Sequence, residues 1–318
     1  EPAPAPPRSE LEQTLAQVFA DLLGRGPIGA DDDFFDLGGD SLLAVQLVAE
    51  IEALTGETAA LDAIAAAPTP RGIAATLTSN GFGWKTTSCL TLHPNGGGAA
   101  LFGVCGAWGW AVRLLRIGRA LGETTPMHAL QPPDMCWPEG ADLHAMAAHY
   151  VATIRTRAPS GPYRLIGTSF GGILAFEVAL QLEALGCSVA LLAMVDSATP
   201  GSALKTPPPA EVTSPLEAAS RRVYLAHLRA SEAYVPRAAF GGRILYFQCR
   251  ASLARAVPRR WERHARGGVE VVGIPGEHGQ FHVQPQLGAI VAHLRAALPV
   301  FGCAAPGCSP PGQPVPRG

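Results

Sequence analysis

The chain has 318 residues, 47% hydrophobic and 16% charged, with a formal net charge of -2; it can build a sizeable core, and its charge argues against a nucleic-acid surface. No apolar run reaches the length of a membrane span and no signal peptide opens the chain, so a cytoplasmic location with no membrane partner is expected. The seven cysteines, at 89, 105, 136, 187, 249, 303 and 308, lack metal-ligand spacing, so free thiols and no metal are expected.

Residues 1–8 alternate proline with small residues and read as a linker from a longer polypeptide. Residues 9–80 carry the pattern of a small helical bundle. Ser9 can N-cap a first helix, with Glu12 and Gln13 in its first turn. Leu11, Leu15, Val18, Phe19 and Leu22 then recur at helical spacing until Gly24. In the acidic loop Asp31-Asp32-Asp33-Phe34-Phe35 the two phenylalanines are expected to turn inward. Next come Asp36-Leu37-Gly38-Gly39-Asp40-Ser41-Leu42 and a second helix through Leu43, Val45, Leu47, Val48 and Ile51. A further helical pattern spans 63–75, with Pro68 and Pro70 marking the start of a last helix.

The run from Asp36 to Leu42, set after Phe34-Phe35 and before an amphipathic helix, resembles the phosphopantetheine attachment site of the carrier domains of nonribosomal peptide and polyketide synthetases. The resemblance implies that Ser41 carries 4'-phosphopantetheine, installed by a phosphopantetheinyl transferase, and that residues 9–80 form a four-helix carrier bundle. Ser41 falls at a helix start, where free backbone N–H groups and the macrodipole favour a phosphate. The competing reading is that Ser41 merely caps the helix.

Residues 81–87 read as a second linker, after which strand and helix patterns alternate. Strands are predicted near 89–92 and over 99–104, 126–130, 162–166, 187–195, 243–248 and 269–274. Helices are predicted over 111–121, 143–156, 173–185 and about 285–298. Such an order predicts a mostly parallel sheet. Residues 199–240 interrupt it with a proline- and serine-rich run and a helix over 216–233, placed as a lid. Residues 299–318 read as a disordered tail.

Between the strand at 162–166 and the helix at 173–185 lies Gly167-Thr168-Ser169-Phe170-Gly171, followed by Gly172. This is G-x-S-x-G in the strand-turn-helix setting of a nucleophile elbow. A serine hydroxyl needs a base to take its proton, and the base needs an acid to orient it. Asp196 is the single aspartate after Ser169 and ends a predicted strand, at the sheet edge where catalytic groups collect. Downstream, His227 and His293 fall in helical patterns and His264 in a charged stretch, so all three are expected to be surface or packing residues. His278 stands in the glycine loop Gly276-Glu277-His278-Gly279 and is the expected base, with His282 the alternative.

The elbow, Asp196 and the glycine loop together resemble the thioesterase domain that ends nonribosomal peptide and polyketide synthetases, over residues 88–298. The resemblance implies two domains: a small all-α carrier bundle, then an α/β hydrolase with a mostly parallel sheet and a helical lid. An acyl or peptidyl thioester on Ser41 would pass to Ser169 and leave by hydrolysis or macrocyclisation, with upstream synthetase domains of the same polypeptide as partners. Gly39-Asp40-Ser41 favours a peptide synthetase or hybrid line. One segment departs from the family: Cys105-Gly106 and Trp108 stand where such thioesterases commonly show His-Pro and a Gly. With the backbone path kept, the N–H groups of Ala107 and Phe170 would form the oxyanion hole, and Trp108 and Trp110 would line the acyl pocket. Two other readings fit the residues: a carrier-docking module without catalysis, and a general esterase or lipase fused to a helical domain.

Overall fold

The computed structural model describes residues 5–7, 9–55, 64, 67–79, 88–202, 215–250, 257–279, 281–282 and 284–300. The chain divides into two compact units, one built mainly from residues 9–79 and also including 133–135 and 215–221, the other from the remaining described residues between 88 and 300. The expected linker at 81–87, the run at 203–214, the tail beyond 300 and most of the opening linker lie outside the described residues.

In the first unit the described helices are α1 (Glu10–Leu23), α2 (Ser41–Thr55) and α3 (Pro70–Ser79). Ser9 Oγ accepts the N–H of Glu12 at 3.1 Å and caps α1, and Gly24, at φ +61°, ends it in the left-handed conformation. Pro70 opens α3, where the missing N–H costs nothing, and Thr69 Oγ1 accepts from Gly72 at 3.0 Å. Phe34 and Phe35 turn inward and are fully buried, Phe34 meeting Phe19 edge-on at 4.8 Å. The acidic loop is thus held from both ends: Asp33 Oδ1 accepts the N–H of Phe35, and the N–H of Phe34 donates to Pro68, each at 2.8 Å.

The second unit is a seven-stranded sheet in the order β1-β3-β2-β4-β5-β6-β7. The strands are β1 (Cys89–Leu92), β2 (Leu101–Val104), β3 (Met127–Leu130), β4 (Tyr163–Thr168), β5 (Val189–Val195), β6 (Ile244–Cys249) and β7 (Val269–Ile274). β1 runs antiparallel to β3 and every other pairing is parallel. Strands β2, β3, β4 and β6 are buried throughout, as parallel strands covered by helices on both faces must be. The helices are α4 (Val112–Leu121), α5 (Leu143–Arg157), α6 (Phe170–Ala184), α7 (Pro215–Ala233), which belongs to this unit from Arg222 onward, the short α8 (Val257–Trp261) and α9 (Gln286–Val300). Among the described residues no helix is long and apolar enough to cross a membrane.

The register positions the site. Thr168 of β4 pairs with Val195 of β5, and Val195 with Phe247 of β6, so Ser169 and Asp196 leave neighbouring strands at the same level. Cys89, Cys105, Cys136 and Cys249 are free thiols, whereas Cys187 is disulfide-bonded. The expectation of thiols alone fails there, because an odd, scattered cysteine count carries no information about a single bridge.

Candidate active site

Ser169 sits between the last residue of β4 and the first of α6 at φ 55°, ψ -122°. A non-glycine residue there costs on the order of 1–3 kcal/mol and persists only where its surroundings hold it. They do: the Ser169 N–H donates to Val195 at 2.9 Å, and the flanking glycines let the chain close up. A Cβ on Gly167 would strike the Gly171 carbonyl, one on Gly171 the carbonyls of Val104 and Cys105, and one on Gly172 the Ser197 hydroxyl.

Asp196 is also in the left-handed region, at φ 45°, and its N–H donates to Phe247 at 2.8 Å, which ties it to β6. Its carboxylate is nearly covered, with 7% side-chain exposure, while the His278 side chain is 46% exposed. Asp196 Oδ2 lies 2.6 Å from His278 Nδ1, and His278 Nε2 lies 3.1 Å from Ser169 Oγ. The carboxylate can only accept, so it holds the proton on Nδ1 and leaves the Nε2 lone pair facing the hydroxyl. All three residues singled out in the sequence are brought together. His282 is not part of this chain of bonds; it is buried, with its ring edge-on to Phe281 at 5.5 Å.

The loop bearing His278 turns through Gly276 and Gly279, at φ +80° and +87°. The buried Gln286 amide donates to Glu277 O at 2.7 Å, and Cys249 Sγ donates to the same carbonyl at 3.5 Å. Burial, and then the charge of Asp196, push the Cys249 thiol up to about 12.

In the segment that departs from the expected pattern, Cys105 is fully buried with its sulfur 3.7 Å from the Tyr150 hydroxyl, and burial pushes its thiol up to about 12. It therefore acts as a packing residue. The Gly109 N–H donates to Gly106 O at 3.0 Å and closes a turn around Ala107 and Trp108. Phe170 opens α6, so its N–H is among the donors that helix geometry leaves without an intrahelical acceptor. Trp108 packs on Tyr224 of α7, ring centroids 4.8 Å apart, and Trp110 is buried.

Of the surface and packing roles expected for the helical histidines, His227 takes the packing one, with two hydrogen bonds that the spacing did not predict. It has no exposed area; its Nδ1 donates to Ala107 O at 2.8 Å, and its Nε2 accepts the Trp137 indole N–H at 2.8 Å. Its ring stacks on Phe170 at 4.2 Å and 21°. Burial lowers its pKa to about 4.

In the first unit, α2 begins at Ser41, but Asp40 is the cap: Asp40 Oδ1 accepts the N–H groups of Leu42 and Leu43, each at 2.9 Å. This removes the reading in which residue 41 is present to cap, and it corrects the expectation that those N–H groups are free for a phosphate. Gly38, at φ +106°, and Gly39, whose added Cβ would strike the Phe34 ring, shape the approach to the helix. Leu42 is 43% exposed. The start of α2 is thus capped by the residue before Ser41.

Comparisons with known proteins agree with this division. Residues 13–77 match the family described as "Phosphopantetheine attachment site", and residues 99–233 the family described as "Thioesterase domain". The chain is similar to the dimodular nonribosomal peptide synthase of Bacillus subtilis, 36% identical over 193 residues, covering 60% of this chain and 8% of that protein. It is likewise similar to chondramide synthase cmdD of Chondromyces crocatus, 35% identical over 211 residues, covering 65% of this chain and 5% of that protein. The chain thus spans a small fraction of the length of these relatives. Among solved structures it is similar to the NocB thioesterase domain in covalent complex with a fluorophosphonate nocardicin G analog: 29% identity, TM-score 0.59, covering 67% of this chain and 100% of that one.

Proposed function

We propose the activity of this chain from its family: it is a carrier domain followed by a thioesterase domain, the didomain architecture of nonribosomal peptide and polyketide synthetases. It releases an acyl or peptidyl chain from thioester linkage, by hydrolysis or by ring closure. Ser41 would hold 4'-phosphopantetheine, which when bound presents the chain as a thioester with a good leaving thiol.

Ser169 Oγ attacks the thioester carbonyl while His278 Nε2 takes its proton. Asp196 keeps the imidazole in the productive tautomer and stabilises the imidazolium. The N–H groups of Ala107 and Phe170 receive the developing oxyanion. When the C–S bond breaks, His278 returns the proton to the departing thiol, leaving an ester on Ser169. Water, or an amine or hydroxyl of the substrate, then gives a proton to His278 and attacks the ester; the product leaves as the proton returns to Ser169 Oγ. Segment 199–240 serves as the lid, and Trp108 and Trp110 belong to the acyl pocket. Upstream synthetase domains and a phosphopantetheinyl transferase are the partners, and the cytoplasm the location, that this reading requires.

The observation that carries the reading is the unbroken run of bonds from Asp196 through His278 to Ser169 on an elbow serine with left-handed φ. Incubation with a fluorophosphonate tests it: the wild type is expected to gain the probe mass at Ser169 and Ser169→Ala to gain none. An unlabelled wild type would favour a carrier-docking module without catalysis. Incubation with coenzyme A and a phosphopantetheinyl transferase tests the carrier, since a chain that gains no mass at residue 41 is instead a general esterase fused to a helical bundle.

A further inference from the structure

Helix α7 carries Tyr224, His227 and Ser231, with Tyr234 one residue beyond its end, at steps of three, four and three residues, which places them along one face. All four are buried. Tyr224 packs on Trp108, the Ser231 hydroxyl donates to Ser202 O at 2.9 Å, and the Tyr234 hydroxyl donates to Glu177 of α6 at 2.6 Å. His227 differs from the other three because one imidazole meets both residues whose N–H groups are assigned to the oxyanion hole.

The ring chemistry is fully determined by its partners. The Ala107 carbonyl can only accept and the Trp137 indole can only donate, so His227 must carry its proton on Nδ1 and a lone pair on Nε2. Only the neutral ring serves both. The carbonyl that it holds belongs to the central peptide of the turn closed by Gly109 and Gly106. That peptide is the one whose rotation separates the two common turn types, so a bond to its oxygen selects one loop conformation. A histidine present only to fill space needs neither bond.

We propose that His227 is a positioning residue for the oxyanion hole: reaching from the lid helix, it holds the Ala107 carbonyl and the Phe170 ring so that the loop donor and the elbow donor converge. The proposal rests on the reading of Ser169 as nucleophile and of Ala107 and Phe170 as oxyanion donors. It makes the lid helix part of the catalytic apparatus in addition to its role as a cover. Loss of an oxyanion donor costs about 100- to 1000-fold in kcat, and a displaced donor a part of that.

The test uses the full chain, a small soluble acyl thioester, and the variants His227→Asn and His227→Gln. The Asn amide nitrogen takes the place of Nδ1 and can still donate to Ala107 O, whereas the Gln amide reaches the Nε2 position and serves only Trp137. His227→Gln is expected to lose about tenfold or more in kcat with KM within about twofold, and His227→Asn to keep most of the wild-type kcat. Equal loss in both, or the greater loss in Asn, would overturn the proposal. A readout that needs no variant is the ¹⁵N spectrum of the His227 ring in the wild type at pH 7. A neutral ring protonated on Nδ1 is expected, and protonation on Nε2 sinks the idea even where the variants fail to fold. Ser169→Ala measured in parallel separates the two readings: retained turnover there defeats the nucleophile assignment, while a dead Ser169→Ala beside an unimpaired His227→Gln defeats only the positioning role.

Discussion

The side-chain amide of Gln286, at the first turn of α9, donates to the carbonyl of Glu277 at 2.7 Å, one residue before His278. A loop that turns through two glycines with left-handed φ has little stiffness of its own, so the bond from a buried helix start fixes where the imidazole stands. Gln286→Leu keeps the volume and removes the donor. We expect kcat to fall about tenfold with KM nearly unchanged, because misplacing a catalytic group by even 1 Å costs on that order or more. Steady-state kinetics on a soluble thioester checks this, and an unchanged kcat would show that the loop is held by its other contacts.

Cys249 stands between Asp196 and the Glu277 carbonyl, yet its chemistry is suppressed. Burial and the neighbouring carboxylate push its thiol up to about 12, and burial does the same for Cys105, so neither forms thiolate near neutrality. Cys136, by contrast, is exposed. Iodoacetamide at pH 8 on the folded chain is expected to alkylate Cys136 and to spare Cys105 and Cys249, as read by peptide mass analysis. Rapid modification of Cys249 would contradict the burial argument.

Much of the site was legible in the sequence because its parts have narrow local requirements. An elbow needs glycines where strand and helix nearly touch, and Gly167, Gly171 and Gly172 stand at those contacts. A single downstream aspartate at a strand end, and a histidine in a glycine loop, left few alternatives for its partners. The strand-helix alternation likewise predicts the parallel sheet. His227 was not legible, because helical spacing alone does not say which face is buried in a loop from 120 residues earlier. The regular steps from Tyr224 to Tyr234, all residues able to hydrogen-bond, are the signal that could have marked that face. The cap at Asp40 was hidden for a simpler reason: adjacent aspartate and serine are both good N-caps, and only geometry chooses between them.

Glu177 is a buried carboxylate on the elbow helix that accepts from Tyr234, His144 and Gln181 at 2.6, 2.9 and 2.8 Å. Removing the tyrosine hydroxyl leaves Oε2 short of a strong donor in a place where water does not readily replace it. Tyr234→Phe is expected to destabilise the second unit by about 1–3 kcal/mol in urea unfolding. The same change in a Glu177→Gln background should cost less, because a neutral amide oxygen loses less with its donor. Equal costs in the two backgrounds would mean that the hydroxyl stabilises through something other than Glu177.

The pH dependence of stability should carry the mark of His227. Burial lowers its folded pKa to about 4 from the ordinary 6.5, so between those values the unfolded chain binds a proton that the folded chain refuses. Stability from this group is therefore complete above about pH 6.5 and is lost progressively as pH falls towards 4. The span of that loss is on the order of 3 kcal/mol. His128, His149 and His264 are also shifted down by burial, so the wild-type slope alone does not isolate His227. The contrast does: His227→Asn, which does not titrate, should lose stability less steeply than the wild type between pH 6.5 and 4.5, while the two curves run parallel above pH 7. Urea unfolding at closely spaced pH values reads the difference directly, and parallel curves across the acid range would mean that His227 takes up its proton as readily in the folded chain as in the unfolded one.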